Sequence, residues 1–120
     1  MSDVQIEAMQ SNSNQLDLAF HALSDRTRRA VVSRLADGEA PVSLLAEPFE
    51  MALPSFAQHL RVLEDAGLIT TEKRGRRRWC RLAQPRLDEA AHWLENERRR
   101  CTDRLDRLEA YLDKSGADKA

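Results

Sequence analysis

Residues 53–82, LPSFAQHLRVLEDAGLITTEKRGRRRWCRL, contain the pattern that decides the fold. This stretch predicts a short helix, a glycine that ends it, and two strands joined by a turn rich in arginine. A helix with a polar outer face, followed directly by a basic hairpin, is suited to enter a DNA groove beside a contact to the phosphates. The stretch therefore predicts a nucleic-acid-binding function.

The predicted helix begins near Pro54, a residue favoured in the first turn because its missing N–H is not needed there. It ends at Gly67, which can adopt the left-handed conformation of a C-terminal cap. Phe56, Leu60 and Leu63 form the stripe expected to be buried. The predicted DNA contacts on the rest of the helix are Pro54, Ser55, Gln58, Arg61 and, on the flank nearer the core, His59. From this helix alone, an ordinary amphipathic surface helix is an equal alternative.

The hairpin, here called the wing, is predicted over residues 68–82 with Gly75 in its turn. Between Glu72 and Arg86 there are seven basic residues and one acidic residue, although the whole chain has a net charge of −1. Such concentrated charge beside a candidate recognition helix favours contact with phosphates over a merely solvated hairpin. The predicted DNA contacts here are Arg74, Arg76, Arg77 and Arg78. Trp79 is expected in the core rather than stacked on DNA.

The chain ahead of this stretch predicts a tail and three helices. Residues 1–13 are polar without periodicity and are predicted to be disordered. Each following segment combines helical apolar spacing with a residue suited to cap or end a helix. The first helix carries Leu16, Ala19, Phe20 and Leu23; the second, capped by Ser24 or Asp25, buries Ala30, Val31 and Leu35 and stops at Gly38; the third, capped by Ser43, carries Leu44 and Leu45.

Pro85 begins the longest predicted helix, which runs to about Leu112 or Asp113 and is followed by a disordered tail over residues 114–120. Its side chains repeat at alternating intervals of four and three, which indicates a heptad pattern. We call this pattern the seam. Only one of its residues, Arg98, is charged. The seam consists of Leu87, Ala91, Leu94, Arg98, Cys101, Leu105, Leu108 and Leu112. The seam could pack on the chain's own core. We instead predict a symmetric homodimer, because so long a helix extends beyond so small a domain.

Length and composition predict one domain, in which residues 14–84 form the predicted DNA-binding part and residues 85–113 the long helix. No apolar run approaches the roughly 20 residues that span a bilayer, and the N-terminus lacks the pattern of a signal peptide. Two cysteines without zinc-like spacing indicate a reducing compartment, so a cytoplasmic location without a membrane partner is expected. The three histidines form no motif with a nucleophile, and neither enzymatic activity nor a cofactor is predicted.

With those residues placed, the chain resembles the ArsR/SmtB family of winged helix-turn-helix repressors over about residues 16–112. The resemblance is carried by ALSDRTRR, LPSFAQHLRVLEDAGLI and RRRWCRL in that order. It implies a mainly α fold with a small β-hairpin that dimerises through terminal helices. It also implies binding to a double-stranded DNA operator, which blocks transcription until a signal weakens binding. By this resemblance Ser55, Gln58 and His59 belong to the reading helix, and residues 76–78 to the wing.

The chain departs from the family at several positions. Ala52 and Ala57 occupy positions where members often have serine, so a cap or phosphate contact there is in doubt. Residues 42–49 contain no Cys-x-Cys pair, and residues 88–90 lack the Asp-x-His motif of the long-helix metal site. We therefore expect no metal at either place. A metal shared by Asp88, His92 and Glu95 is less favoured than a solvated polar face.

The regulatory signal is left open by the sequence. Cys80 in the second wing strand and Cys101 on the seam are candidate thiol sensors, although a free cysteine is most often a small buried hydrophobe. Metal sensing, an unidentified effector, and regulation by abundance alone are the alternatives. The rival function is a winged-helix and coiled-coil module that binds protein rather than DNA. The wing disfavours it, because the cores of protein interfaces are depleted of charged residues.

Overall fold

The computed structural model describes residues 14–118, which form five helices and a three-stranded antiparallel sheet. Helix α1 covers residues 14–22. The remaining elements are α2 (Arg26–Leu35), β1 (Ala40–Pro41), α3 (Val42–Ala46), α4 (Leu53–Asp65), β2 (Ile69–Arg74), β3 (Arg77–Leu82) and α5 (Gln84–Asp118). The predicted mainly helical fold with a small sheet is confirmed. The N-terminal tail predicted over residues 1–13 lies outside the described residues.

The chain divides into two compact units, with the boundary after Ala90 inside α5. The sequence predicted one domain that included the whole long helix. The first unit holds the sheet and helices α1 to α4. The second unit is helical throughout its described part, residues 91–118.

Three helix starts show which predicted caps form. Asp25 caps α2 by accepting a hydrogen bond from the Arg28 backbone N–H at 3.1 Å, whereas the Ser24 hydroxyl donates to a carbonyl of α1. Helix α4 follows Ala52, which offers no side-chain cap. The predicted Ser43 cap is wrong, because α3 starts at Val42 directly after the extended residue Pro41. Ser43 therefore lies inside the first turn rather than before it.

The sheet is larger than the predicted hairpin by one strand. Its order is β1-β3-β2, with Cys80 paired to Ala40 on one side and to Thr71 on the other. Gly75, at a φ of 64°, forms the predicted turn between β2 and β3. Strand β1 has only two residues, one of them Pro41. It is therefore too short to show the alternation of apolar and polar residues that predicts a strand. This strand joins the segment before α3 to the wing.

The core of the first unit is built from small and aliphatic side chains around Phe56. In α2 the inward positions belong to Arg28, Val31 and Leu35, so the prediction that Ala30 is buried is wrong. The reason is helical spacing: residues 28, 31 and 35 share one face, and Ala30 lies off it. Leu87 at the start of α5 packs against this core. The largest fully buried aliphatic and aromatic side chains are Val31, Phe56, Leu63, Leu68 and Ile69.

Helix α5 is 35 residues long and continues to Asp118, beyond the end predicted near Asp113. Residues 114–118 contain no proline, and a glycine within a helix costs only about 1 kcal/mol relative to alanine. No helix in the described part of the chain is long and apolar enough to cross a membrane.

Candidate nucleic-acid interface

Helix α4 presents opposite chemistry on its two faces. Phe56, Leu60 and Leu63 are buried, as the sequence predicted. The predicted contact residues on the other face, Pro54, Ser55, Gln58 and Arg61, are all exposed. Since the apolar face of α4 is buried in the core, the polar face is the one that a ligand can contact. Side chains of these types can contact base edges and phosphates.

His59 is the exception among the predicted contacts on α4, because it is tied into the protein. Its Nδ1 lies 3.1 Å from Nη1 of Arg28 and 3.8 Å from a carboxylate oxygen of Asp25. The side chain retains 24% of its exposure. His59 therefore connects α4 to α2 while part of its ring still reaches the surface.

Arg28 is a residue that our sequence reasoning missed. Its Nε donates to the Ala22 carbonyl at 2.7 Å, and its Nη2 donates to the His21 carbonyl at 3.2 Å. Its backbone N–H bonds to Asp25 and is the main cause of the lowered pKa of that carboxyl. The buried guanidinium thus joins the end of α1, the start of α2 and the flank of α4. The available signal was an arginine in register with Val31 and Leu35.

The tip of the wing is exposed and strongly basic. Arg76, Arg77 and Arg78 are all exposed around the turn at Gly75. An exposed guanidinium at a hairpin tip can reach phosphate oxygens without being drawn from an internal ion pair. These three arginines stay predicted phosphate contacts, and their side chains are accessible to a ligand.

Arg74, also predicted to contact DNA, is exposed but already paired with carboxylates of its own chain. Its two terminal nitrogens donate to the two carboxylate oxygens of Glu39 at 2.7 and 2.8 Å, and its Nε donates to Glu72. The hydrogen bonds from Arg74 lower the pKa of the Glu39 carboxyl, and those to Glu39 and Glu72 raise the pKa of Arg74. This ion pair joins the wing to the residue before β1. Arg74 is positioned to orient the wing.

The prediction that Trp79 belongs to the core is wrong. Its side chain is half-buried, with the Arg74 guanidinium carbon 5.1 Å from the ring centroid. Successive side chains of a strand point to opposite faces, and the inward position in β3 is occupied by Cys80. Trp79 instead supports the base of the wing through a cation–π contact.

Helix α4 and the wing are joined by a side-chain hydrogen bond. The Thr71 hydroxyl in β2 donates to a carboxylate oxygen of Glu64 in α4 at 2.6 Å. Between them lies an open cleft of about 280 Å³ whose lining includes Arg61 from α4 and Arg78 from β3. Helix α4 and the wing therefore line the same cleft.

Comparison with known proteins identifies the fold and the family. Residues 23–72 match the family described as Helix-turn-helix domain. The chain is 31% identical to the transcriptional repressor SdpR of Bacillus subtilis over 77 residues, 64% of this chain and 86% of the repressor. It is 45% identical to the HTH-type transcriptional regulator Rv2034 of Mycobacterium tuberculosis over 62 residues, 52% of this chain but only 58% of that regulator. The crystal structure of an ArsR family transcriptional regulator superposes with a TM-score of 0.69 at 47% identity, covering 72% of this chain and 90% of that one.

This chain belongs to the ArsR/SmtB family. It is therefore a DNA-binding transcriptional regulator with a winged helix-turn-helix fold. Its relatives are transcriptional regulators, and the alternative of a protein-interaction module is not favoured. The resemblance inferred from the three sequence motifs is confirmed.

The two cysteines of this family member differ in accessibility. Cys80 is fully buried, and burial raises the pKa of its thiol to about 11. A thiol in that state is a poor nucleophile and a poor ligand for soft ions, which argues against Cys80 as a sensor. Cys101 is exposed. Only Cys101 thus has the exposure that a thiol sensor requires.

No group of three or more histidine, cysteine or acidic side chains is arranged to hold a metal ion among the described residues. His92, which the sequence placed near Asp88 and Glu95, has its Nε2 3.2 Å from the side-chain nitrogen of Asn96. Glu95 bonds instead to Arg98 and Arg99, chiefly Arg98, and these bonds lower its pKa to about 2. Around His92 the helix is an ion-paired, solvated surface.

Proposed function

We propose that this protein is a homodimeric repressor that binds double-stranded operator DNA through α4 and the wing and thereby blocks transcription. The observation that supports this most directly is the exposed polar face of α4, held beside the exposed arginines of the wing. Its relative SdpR is named a transcriptional repressor. Repression requires only that the bound protein occupy the DNA that the transcription machinery needs.

In this proposal α4 lies in the major groove. Gln58 can form two hydrogen bonds with adenine, and Arg61 can form two with guanine, so these residues read sequence. Ser55 contacts a base or a phosphate near the start of the helix. Arg76, Arg77 and Arg78 contact the phosphate backbone and supply affinity for any sequence. Arg74 acts by orienting the wing.

The distal part of α5 supports the homodimer. Leu94, Leu105, Leu108 and Leu112 of the seam are more than half exposed in the single chain. A second copy of the same helix can cover these leucines by symmetric packing, with Ala91 and Cys101 in the same row. Leu87, which was also predicted in the interface, packs on the core of its own chain instead. The proposed interface therefore begins after Leu87.

The natural trigger is a separate matter. Cys101 is the candidate thiol sensor that remains, because it is exposed in the single chain and its oxidation would alter the packing of the seam. An unidentified effector and regulation by abundance are the alternatives. We place the protein in the cytoplasm with its operator. The operator affinities of wild type and Cys101→Ser, each measured under reducing and oxidising conditions, test whether the Cys101 thiol is the sensor.

Selection of bound duplexes from a random-sequence DNA library tests the proposed function. A symmetric homodimer should enrich a palindrome with half-sites about one helical turn, roughly 34–36 Å, or a multiple of it apart. A matched selection with Gln58→Ala should lose preference at one base pair in each half-site. Failure of the wild-type protein to enrich any sequence would contradict sequence-specific repression.

A further inference from the structure

The contact between Arg28 and His59 bears on which nitrogen of the His59 ring carries the proton. A guanidinium has five N–H donors and no acceptor, and it stays protonated in proteins. In the 3.1 Å contact between Arg28 Nη1 and His59 Nδ1, the arginine must donate and Nδ1 must accept. An imidazole whose Nδ1 accepts is neutral and carries its proton on Nε2.

The neighbouring groups leave this contact in place. Among residues 14–118, the other acceptor near Nδ1 is a carboxylate oxygen of Asp25, which at 3.8 Å is beyond hydrogen-bond distance. That oxygen already accepts the backbone N–H of Arg28. The guanidinium cannot turn away freely, because the carbonyls of His21 and Ala22 hold its other nitrogens. Arg28 is thus a fixed donor aimed at Nδ1.

We propose that Arg28 holds His59 in the Nε2–H form, so that α4 presents a fixed hydrogen-bond donor to DNA at its flank. This inference rests on the proposed function. Within the described chain Nε2 has no hydrogen-bond partner, and the side chain is 24% exposed. An N–H at this position can donate to a phosphate oxygen, to N7 or O6 of guanine, to N7 of adenine or to O4 of thymine. It cannot bond to the amino groups of cytosine and adenine, because these are donors themselves. Arg28 is then a positioning residue that acts through His59.

Nitrogen-15 NMR of the His59 ring in the free protein, at mildly alkaline pH, tests the first half of the proposal. The two neutral forms differ in the chemical shifts of the two ring nitrogens and in the couplings of these nitrogens to the protons on the ring carbons. Wild type should show the Nε2–H pattern. In Arg28→Met the pattern should shift towards a mixture or the Nδ1–H form. A wild-type ring in the Nδ1–H form overturns the proposal.

Arg29→Met is the matched control. Arg29 is the next residue on α2, and its Nη1 donates to the Leu23 carbonyl at 2.9 Å, so it also holds the turn between α1 and α2. In the part of the chain that the structure describes, the Arg29 side chain forms no hydrogen bond with His59. The His59 pattern should be unchanged in this variant. An equal change in both variants would show that the turn between α1 and α2, and not the Arg28 donor, determines which nitrogen of His59 carries the proton.

Two substitutions of His59 test the second half without disturbing the buried arginine. A glutamine side chain places an amide N–H about where Nε2 lies, whereas asparagine reaches only the position of Nδ1. His59→Gln should bind the selected operator nearly as well as wild type. His59→Asn should bind roughly three- to tenfold more weakly per half-site, as expected for one lost hydrogen bond. Equal or stronger binding by His59→Asn overturns the proposal.

A double-mutant cycle separates positioning from folding. If Arg28 acts through His59, the operator affinity lost in Arg28→Met should largely disappear when measured in a His59→Ala background. Additive losses would overturn the positioning role. If Arg28→Met does not fold, the wild-type NMR pattern and the glutamine–asparagine pair still decide the proposal.

Modified DNA distinguishes the acceptor. Methylphosphonate at single backbone positions removes phosphate charge, and 7-deazapurines remove N7. 2-Aminopurine in place of guanine removes O6, and 5-methylpyrimidin-2-one in place of thymine removes O4. One of these changes should abolish the difference between wild type and His59→Asn. If none does so at any position in the half-site, the DNA-facing donor is contradicted. Failure of the proposed function has a different signature: wild type would prefer no sequence, whatever the NMR pattern of His59.

Discussion

Helices α4 and α5 both carry a row of leucines, but the two rows differ in solvent exposure. In α4 the row is covered by the chain's own core, and Leu63 has no exposed surface. In the distal part of α5, Leu105 is 64% exposed and Leu112 is 58% exposed. What each helix leaves uncovered therefore differs: a polar face on α4 and an apolar face on α5.

The difference indicates what each helix binds. Full burial of a leucine side chain stabilises by about 1.5–3 kcal/mol, so the exposed row on α5 represents unused stabilisation that a second protein surface can supply. The uncovered face of α4 offers no such gain. It offers hydrogen-bond donors and acceptors beside positive charge, which match DNA. One helix is suited to protein association and the other to nucleic acid.

The largest expected effect comes from breaking the apolar row of α5. Leu105→Asp places a carboxylate in the proposed interface, where an unpaired buried charge is strongly unfavourable. Sedimentation should show monomer, and operator affinity should fall by roughly 10²–10⁴ because two linked half-sites become independent.

Asn96→Asp is the control for this variant. It changes the charge by the same amount about half a turn round the helix from the seam, at 100° per residue. It should remain dimeric and bind operator normally. A dimeric Leu105→Asp at low micromolar concentration would show that the interface lies elsewhere.

The next effect concerns the polar face of α4. Gln58→Ala should weaken operator binding by about 1–3 kcal/mol and relax the preference at one base pair, as expected for a lost two-bond base contact. Competition against operators with each base substituted at that position measures both. Gln84→Ala, the same chemical change at the exposed start of α5, should have no effect. Unaltered base preference in Gln58→Ala would remove Gln58 from the reading surface.

The wing should behave differently from α4. Arg77→Ala should weaken binding to operator and scrambled DNA alike, and should reduce the slope of log affinity against log salt by about one. Binding titrations across a salt series measure this slope. Arg99→Ala removes the same charge from α5, where Arg99 pairs with Glu95, and should leave the slope unchanged. Loss of preference for one base pair in Arg77→Ala would contradict a purely backbone contact.

The smallest effect lies at the base of the wing. Arg74 lowers the pKa of Glu39, so their ion pair stabilises the wing above the unfolded pKa of a glutamate and loses this effect as pH falls through the lower folded pKa. Both groups are solvent-exposed, and the effect on overall stability should be small. An NMR titration of the Glu39 carboxyl should show its pKa return towards the ordinary value in Arg74→Met. An unchanged Glu39 pKa would contradict the ion pair.

The sequence predicted the elements that have strong periodic patterns. The buried stripe of α4, the stop at Gly67, the turn at Gly75 and the long α5 all followed from local rules. The features it missed depend on tertiary contacts. Strand β1 exists only because β3 lies beside it.

The same limit applied to the candidate site. Exposure of Ser55, Gln58 and Arg61 followed from the helical period. The roles of Arg28 and Arg74 did not, because their partners His59 and Glu39 are 31 and 35 residues away in the chain. An arginine in a sequence shows a charge, and only the fold shows whether a carboxylate or a carbonyl already holds it. This is why Arg74 was grouped with the free arginines of the wing.

The ratio of the affinities for operator and scrambled duplex, measured for the wild-type dimer over a salt series, tests the central claim most directly. If α4 reads bases while the wing contacts phosphates, both affinities should fall steeply with salt, and operator should stay roughly 10³-fold or more tighter at physiological salt. Equal affinities for the two duplexes across the whole series would contradict the claim that this protein reads a specific operator.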